Sequence, residues 1–119
     1  MKIKKIVLSL ILLLLCVVPI VAYYDPGPRI GYVNDYTHTL TKEQKNSLES
    51  KLTSFEQESS NEVAVVIIRS MQGDYIENFA VKLFENWKLG KKDKNNGVLM
   101  LVAMNDRRMR IEVGYGLEG

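Results

Sequence analysis

Residues 63–68 read Val-Ala-Val-Val-Ile-Ile, an apolar run rich in β-branched side chains, with polar residues before it and Gly73 after it. Such a run predicts a strand covered on both faces, because a strand with one wet face alternates apolar and polar residues. Residues 98–104 form a second apolar run of the same kind. These two buried strands are expected to form the centre of the fold.

An amphipathic helix is predicted between the two strands. Asp74 is placed to cap it, with Glu77 at the third position, and Gly90 ends the pattern. Its apolar side chains recur at helical spacing: Ile76, Phe79, Ala80, Leu83, Phe84 and Trp87. A strand, helix, strand unit makes a right-handed crossover between parallel strands.

The chain after the second strand predicts a β-hairpin. Residues 105–107 form a tight turn, and Met109, Ile111 and Val113 then alternate with polar residues. The last strand therefore runs antiparallel to its neighbour. With a short first strand within residues 30–36, this indicates an α/β fold with a small mixed sheet of about four strands.

A first helix is predicted over residues 42–59. Thr41 and Gln44 match a capping box, and apolar residues follow at helical spacing. The charged residues on its other faces, Glu49 and Glu56 among them, are expected to be solvated.

The N-terminus has the order of an export signal. Three lysines precede an apolar run that extends from Ile6 to Val18, and Pro19 and the small Ala22 follow. Residues 1–22 are therefore interpreted as a signal peptide, or as an N-terminal membrane anchor if they are not cleaved. Residues 23–31, rich in Pro and Gly, are interpreted as a linker.

Composition excludes several classes of function. The chain has 16 Lys and Arg against 14 Asp and Glu, and removal of the leader with its three lysines leaves a small negative charge. This balance argues against nucleic-acid binding. Cys16 lies in the leader and His38 is the only histidine, so thiolate sites, multi-histidine zinc sites and nucleophilic triads are not expected.

Two groups of polar residues are candidate sites, at opposite ends of the sheet. Asp35, Asp74 and Asp106 should gather at the carboxyl ends of the parallel strands. In open α/β sheets, this is the end at which ligands usually bind. Their carboxylates could hold Ca²⁺ or Mg²⁺, although Asp74 is also explained as a helix cap and Asp106 as a turn residue. The opposite end should hold Asn96 and Glu118.

Residues 114, 116 and 119 are glycines with the spacing G-x-G-x-x-G. Nothing after this motif supplies the helix and acidic residue that a dinucleotide site needs, and an exported domain has little access to NAD. Dinucleotide binding is therefore not predicted.

Three ordered motifs resemble the TPM domain family: NGVLMLV at residues 96–102, DRRMRI at 106–111 and GYGLEG at 114–119. Further similarity comes from Val33-Asn34-Asp35 with Leu40-Thr41, and from Ala80, Phe84, Trp87 and Gly90. The resemblance covers about residues 31–119 and implies an α/β/α sandwich. The family pattern continues past the position of Gly119 into a Thr-Asp pair and a helix, which implies that residues 32–119 are a TPM-like domain without its C-terminal helix.

The resemblance implies an exported protein, extracellular or in the cell envelope, with two possible functions. One is a non-catalytic accessory role toward membrane-protein complexes, which is preferred, with membrane contact through residues 1–22 if these are retained. The alternative is a metal-dependent acid phosphatase, in which Asp35 and Asp106 would place a cation or water and the helix start at Asp74 would receive phosphate. A purely structural role is a third possibility.

Overall fold

The computed structural model describes residues 1–14 and 22–119, and side chains for residues 1–9 and 22–119. Helix α1, Lys2–Leu14, covers the basic start of the predicted leader and part of its apolar run. Cys16, Pro19 and the rest of that run to residue 21 lie outside the described residues. No helix in the described ranges is both long enough and apolar enough to cross a membrane.

The domain itself is a four-stranded sheet with a helix on each face. Its elements in chain order are β1 Val33–Asp35, α2 Lys42–Ser59, β2 Glu62–Ile68, α3 Ile76–Trp87, β3 Gly97–Ala103 and β4 Arg108–Val113, followed by a 3₁₀ turn at Tyr115–Leu117. The strand order is β1-β2-β3-β4, parallel up to β3 and antiparallel from β3 to β4. The prediction of a mixed α/β sheet that ends in a hairpin is confirmed.

The main core lies between the sheet and α3. The helix buries Phe79, Ala80 and Leu83 completely, against the side chains of β2 and β3 that point to this face. These sheet side chains are Ala64, Val66, Ile68, Leu99, Leu101 and Ala103. Full burial of a large apolar side chain contributes about 1.5–3 kcal/mol, so this layer supplies most of the driving force for folding.

Helix α2 packs on the other face through half-buried apolar side chains and two carboxylates. None of its side chains is fully buried, and Phe55 is 43% exposed. Instead, Glu49 accepts hydrogen bonds from the Tyr32 and Val33 backbone N–H groups, at 2.9 and 2.7 Å, and Glu56 accepts one from the Tyr32 hydroxyl. The expectation that Glu49 and Glu56 are simply solvated is wrong, because Glu49 binds the backbone amides at the start of β1 and Glu56 binds the Tyr32 hydroxyl.

The predicted cap of α3 is displaced by one residue. The helix begins at Ile76, and its N-cap is Tyr75, which makes no side-chain capping bond. Asp74 instead accepts from the Tyr75 N–H at 2.8 Å and from the Asn78 side chain, with both oxygens within 3.0 Å. The Asp74 carboxylate therefore binds the side chain of Asn78, in the first turn of the helix, and does not cap the helix.

The predicted linker, residues 23–31, lies against the domain. The Tyr23 ring packs on Phe79 with centroids 5.0 Å apart, and Arg29 forms an ion pair with Glu62 at 2.7 Å. Burial raises the pKa of the Tyr23 hydroxyl to about 12. This hydroxyl lies near the Asn86 side chain, but no group in the described part of the chain meets hydrogen-bond geometry with it.

Among the described residues, the half of the sheet formed by β3 and β4 is covered on one side only. Strand β3 alternates buried and half-buried residues, which corrects the expectation of a strand covered on both faces. We call the other side the β3–β4 face. Its side chains are Val98, Met100, Val102, Met109, Ile111 and Val113, as the strand register requires. Met109 is 60% exposed and Ile111 52% exposed, because α2 lies over β1 and β2.

The Glu49 contact yields a prediction about stability. Replacement of Glu49 by Ala leaves the two amides of residues 32 and 33 without their acceptor, and charge-assisted hydrogen bonds are worth about 1.5–3 kcal/mol. We expect Glu49→Ala to lower the free energy of unfolding by about 2 kcal/mol in urea titration. Glu58→Ala, an exposed position on the same helix, should change it by less than about 0.5 kcal/mol. Equal effects of the two changes would contradict the assigned role.

Candidate functional site

The carboxyl ends of the parallel strands carry a shallow cavity that joins two of the predicted residues. Asp74 and Asp106 both line it, together with Arg108, and its volume is about 280 Å³. Asp106 comes from the β3–β4 turn, whereas Asp74 precedes α3, so the crossover brings them together from separate elements. Two carboxylates and a guanidinium around one cavity could orient a small polar ligand.

Both carboxylates in this cavity also have structural partners. Asp106 Oδ2 accepts the Met71 N–H at 2.8 Å, which ties the β3–β4 turn to the segment after β2. Asp74 is bonded to Tyr75 and Asn78 as described above. Part of the hydrogen-bonding capacity of each side chain is thus used within the protein.

Asp35, the third predicted residue of this end, lines a different cavity. Its neighbours there include His38, Lys42 and Lys45. The buried carboxylate of Asp35 accepts from the Thr37 N–H and hydroxyl at 3.0 and 2.7 Å, and from the Leu40 N–H at 2.8 Å. It therefore organises the loop from β1 to α2.

These bonds set the protonation of Asp35. Burial alone would raise the pKa of this carboxyl, but the hydrogen bonds from Leu40 and Thr37 outweigh burial and hold its pKa below the usual value. The geometry favours a carboxylate that stays ionised and fixed in place. A general acid would require the opposite shift.

The opposite end of the sheet contains a groove between α3 and the end of β4. It is lined by apolar side chains and by three carboxylates, those of Glu85, Glu112 and Glu118. Asn96, predicted for this end, does not line the groove. It accepts the Lys91 N–H at 2.9 Å and donates to the Ser60 carbonyl at 2.7 Å, and so joins two loops.

The glycines of the GYGLEG segment are explained by packing at this end. A Cβ at Gly114 would lie 2.3 Å from the Asn95 carbonyl oxygen, and one at Gly116 would lie 1.8 Å from that of Lys94. The Gly116 N–H also donates to the Asn95 carbonyl at 2.9 Å. Glycine is needed because the two backbone segments touch.

Metal ligation has limited support from the donor set. Across the described ranges, no three Asp, Glu, His or Cys side chains come close enough together to hold one ion. The Asp74 and Asp106 cavity offers two carboxylates, and Ca²⁺ takes six to eight oxygen ligands. Water and substrate oxygens would have to supply the remainder.

Residues that the sequence did not single out complete both ends. Arg108 joins the two aspartates, and Glu85 and Glu112 face Glu118 across the groove. Each appears in the sequence as one charged residue among many on a helix or strand. Only the packing of α3 beside β4 reveals these positions.

The order of strands and helices, with these two ends, defines an α/β domain of a known family. The family model of the TPM domain matches residues 33–119, and the chain belongs to this family. The resemblance drawn from the motifs is thereby confirmed.

Two solved structures are similar to this chain. One is a solution NMR structure of the N-terminal domain of a protein from P. gingivalis, with 34% sequence identity and a TM-score of 0.68 over 74% of this chain. The other is the N-terminal domain of a protein from Corynebacterium glutamicum, with 15% identity and a TM-score of 0.63 over 82% of this chain. The second likeness concerns the fold alone.

This chain spans 56% of the P. gingivalis structure and 64% of the C. glutamicum structure. No curated protein matches it.

The environment of Asp35 predicts a dependence of stability on pH. Because the pKa of Asp35 is lower in the folded state, the ionised carboxylate stabilises the fold. This stabilisation is fully present above the unfolded pKa of about 4 and is lost as the pH falls through the folded pKa. Asp35→Asn should flatten this acid-side decline in unfolding titrations between about pH 5 and pH 2. Asp35→Asn should also lower the free energy of unfolding by about 1–3 kcal/mol at pH 7, since both oxygens of Asp35 accept hydrogen bonds and an amide has only one acceptor oxygen.

The matched control is Asp93→Asn, which changes an exposed carboxylate at the other end of the sheet. Its pH profile should follow that of the unmodified protein. An Asp35→Asn profile that is also unchanged would show that the hydrogen-bonded carboxylate does not contribute to stability.

Proposed function

We propose that this TPM domain is an extracytoplasmic accessory module that binds an amphipathic helix of a membrane-protein complex on its β3–β4 face. The observation that carries the proposal is the apolar character of this face. Six apolar side chains from two adjacent strands lie side by side, and two of the three on β4, Met109 and Ile111, are more than half exposed. Contiguous apolar surface of this kind marks interaction sites in soluble domains.

The dimensions of the face suit a helix. From Val98 to Val102 the surface extends about 13 Å along the strand at 3.3 Å per residue. Two and a half turns of α-helix have about the same length, at 5.4 Å per turn. An apolar stripe at positions i, i+3, i+4 and i+7 of a partner helix would cover the two strands.

The polar groups of the domain support binding over catalysis. Asp35, Glu49 and Asn96 each use their side-chain oxygens to hold backbone amides of the domain. Such residues stabilise loops and strand edges, and they are not available to a substrate.

The proposed location rests on the N-terminal sequence. Three lysines followed by an apolar run have the order of an export signal, and retention of this segment would keep the domain next to the membrane. The partner is accordingly sought among membrane proteins of the cell envelope.

Site-specific photo-crosslinking tests this function. A benzophenone amino acid at Met100, at the centre of the β3–β4 face, should give adducts with a membrane protein when the protein is expressed in its native envelope. The same group at Lys82 should give none, because Lys82 is exposed on α3, which covers the opposite side of the sheet. Val102→Asp should reduce the adduct at least tenfold, because it places a charge in the apolar contact.

Two outcomes would contradict this function. Equal adducts from Met100 and Lys82 would indicate random collision. A crosslink confined to the protein's own chain would show that the β3–β4 face is covered from within.

A second candidate, phosphomonoester hydrolysis, is favoured by one observation. Asp74, Asp106 and Arg108 line a single cavity, and an arginine beside two carboxylates could bind phosphate and position water. A bound Ca²⁺ or Mg²⁺ would add Lewis-acid stabilisation of the phosphoryl oxygens.

Turnover of a chromogenic phosphomonoester, with and without Ca²⁺ or Mg²⁺, tests this second function. If Asp74 acts in the reaction, Asp74→Asn should lower the rate by about 10²-fold or more. Asp93→Asn should leave it unchanged. A rate no higher than that of the blank, or one that Asp74→Asn does not alter, would exclude hydrolysis at this cavity.

A further inference from the structure

The two edges of the sheet differ in how they are protected. At the β1 edge, Glu49 occupies the amides of Tyr32 and Val33, and the strand has only three residues. At the β4 edge, six residues run without a neighbour on the outer side among the described residues. Unpaired edge strands of this length are templates for pairing with another chain.

The backbone phase of β4 identifies its free groups. Gly114 donates its N–H to the Gly97 carbonyl at 2.8 Å, so the pair they form is hydrogen-bonded. In an antiparallel ladder, hydrogen-bonded pairs recur at every second residue. The backbone N–H and C=O groups of residues 108, 110 and 112 therefore point toward β3. The N–H and C=O groups of Met109, Ile111 and Val113 therefore point outward.

We propose that a second copy of this chain pairs antiparallel with β4, with Ile111 opposite Ile111 across a two-fold axis. This register joins the outward groups of Ile111 to their equivalents and those of Met109 to Val113 of the other copy. Three hydrogen-bonded pairs form, with two bonds each. The two four-stranded sheets become one continuous sheet.

Side-chain charge fits the same register. Arg110 of one copy lies opposite Glu112 of the other, on the α3 side of the sheet, and this happens twice because the axis repeats it. Within one chain these two side chains already form an ion pair at 2.9 Å. Pairing would therefore build a four-membered network of alternating charge, which cross-strand pairs of opposite sign favour.

The neighbouring register is disfavoured on two counts. Centred on Arg110, it would place two arginines opposite each other. It would also require the backbone groups of residue 110 to point outward, whereas they are used in the ladder with β3. A register centred on Met109 keeps the backbone phase but would place Arg108 opposite Arg110, so only the register centred on Ile111 combines the backbone phase with pairs of opposite charge.

On the other face, Met109 and Ile111 of the two copies would lie side by side. This contact covers part of their exposed surface and joins the two β3–β4 faces into one apolar surface that crosses the axis. The pairing is independent of the proposed partner helix, since it uses the edge of the sheet. Either can fail without the other.

Disulfide trapping tests the register on the full chain, with Cys16→Ser as background. Hydrogen-bonded antiparallel partners have Cα atoms about 5.5 Å apart, which suits a disulfide. Ile111→Cys should therefore give a covalent dimer on mild oxidation. Met109 is slightly more exposed than Ile111, but the two 109 positions would be separated by about 13 Å along the strand, so Met109→Cys should give little covalent dimer.

Charge reversal gives a second measurement. In sedimentation experiments, Arg110→Glu should weaken the dimer at least tenfold, because it places two acidic residues opposite each other. The double variant Arg110→Glu with Glu112→Arg should restore dimerisation, since it exchanges the charges and keeps both pairs. Association through the apolar leader would respond to neither change.

Three results would overturn the proposal. The first is a monomer at all concentrations up to about 1 mM, which is the range of weak association. The second is equal disulfide trapping at positions 109 and 111. The third is a dimer that is unaffected by both charge variants. Adducts at Met100 with a membrane protein would still report on the proposed function alone.

Discussion

Burial of both faces of β2 is the constraint on which the rest of the structure depends. Its residues point alternately to the α3 layer and to the side under α2, and five of the seven are buried. A strand with apolar groups on both sides needs a helix over each, so α2 and α3 must lie on opposite faces. The short β1 and the longer β3 then pair with it in parallel, and both ends of the sheet are defined.

The two helices satisfy this constraint by different physical means. Helix α3 buries large apolar side chains completely, whereas α2 combines half-buried apolar side chains with Glu49 and Glu56, which bind the start of β1 through its amides and the Tyr32 hydroxyl. The bond to Glu56 is also the main reason that the pKa of Tyr32 is raised to about 12. Helix α2 lies over β1 and β2, and Met109 and Ile111 on the β3–β4 face stay more than half exposed.

The acidic residues illustrate how position decides chemical role. Asp35 ends β1, Asp74 precedes α3 and Asp106 follows β3. Loops present backbone amides at these positions, and each carboxylate accepts at least one of them. Carboxylates bound in this way stabilise the ends of elements. Only Asp74 and Asp106 also face a shared cavity, and that is where chemistry at this end of the sheet would be located.

The sequence determined the elements and their order. The capping box at Thr41, the apolar run at residues 63–68 and the hairpin turn at residues 105–107 each encode local structure through short-range contacts, so α2, β2 and the last hairpin lie where they were predicted. Its ordered motifs also identified the family. Three features were decided by the tertiary structure alone: the role of Glu49, the separation of Asp35 from the cavity of Asp74 and Asp106, and the exposure of Met109 and Ile111. All three depend on which surfaces meet across the sheet, and residues far apart in the chain carry no local pattern that records such contacts.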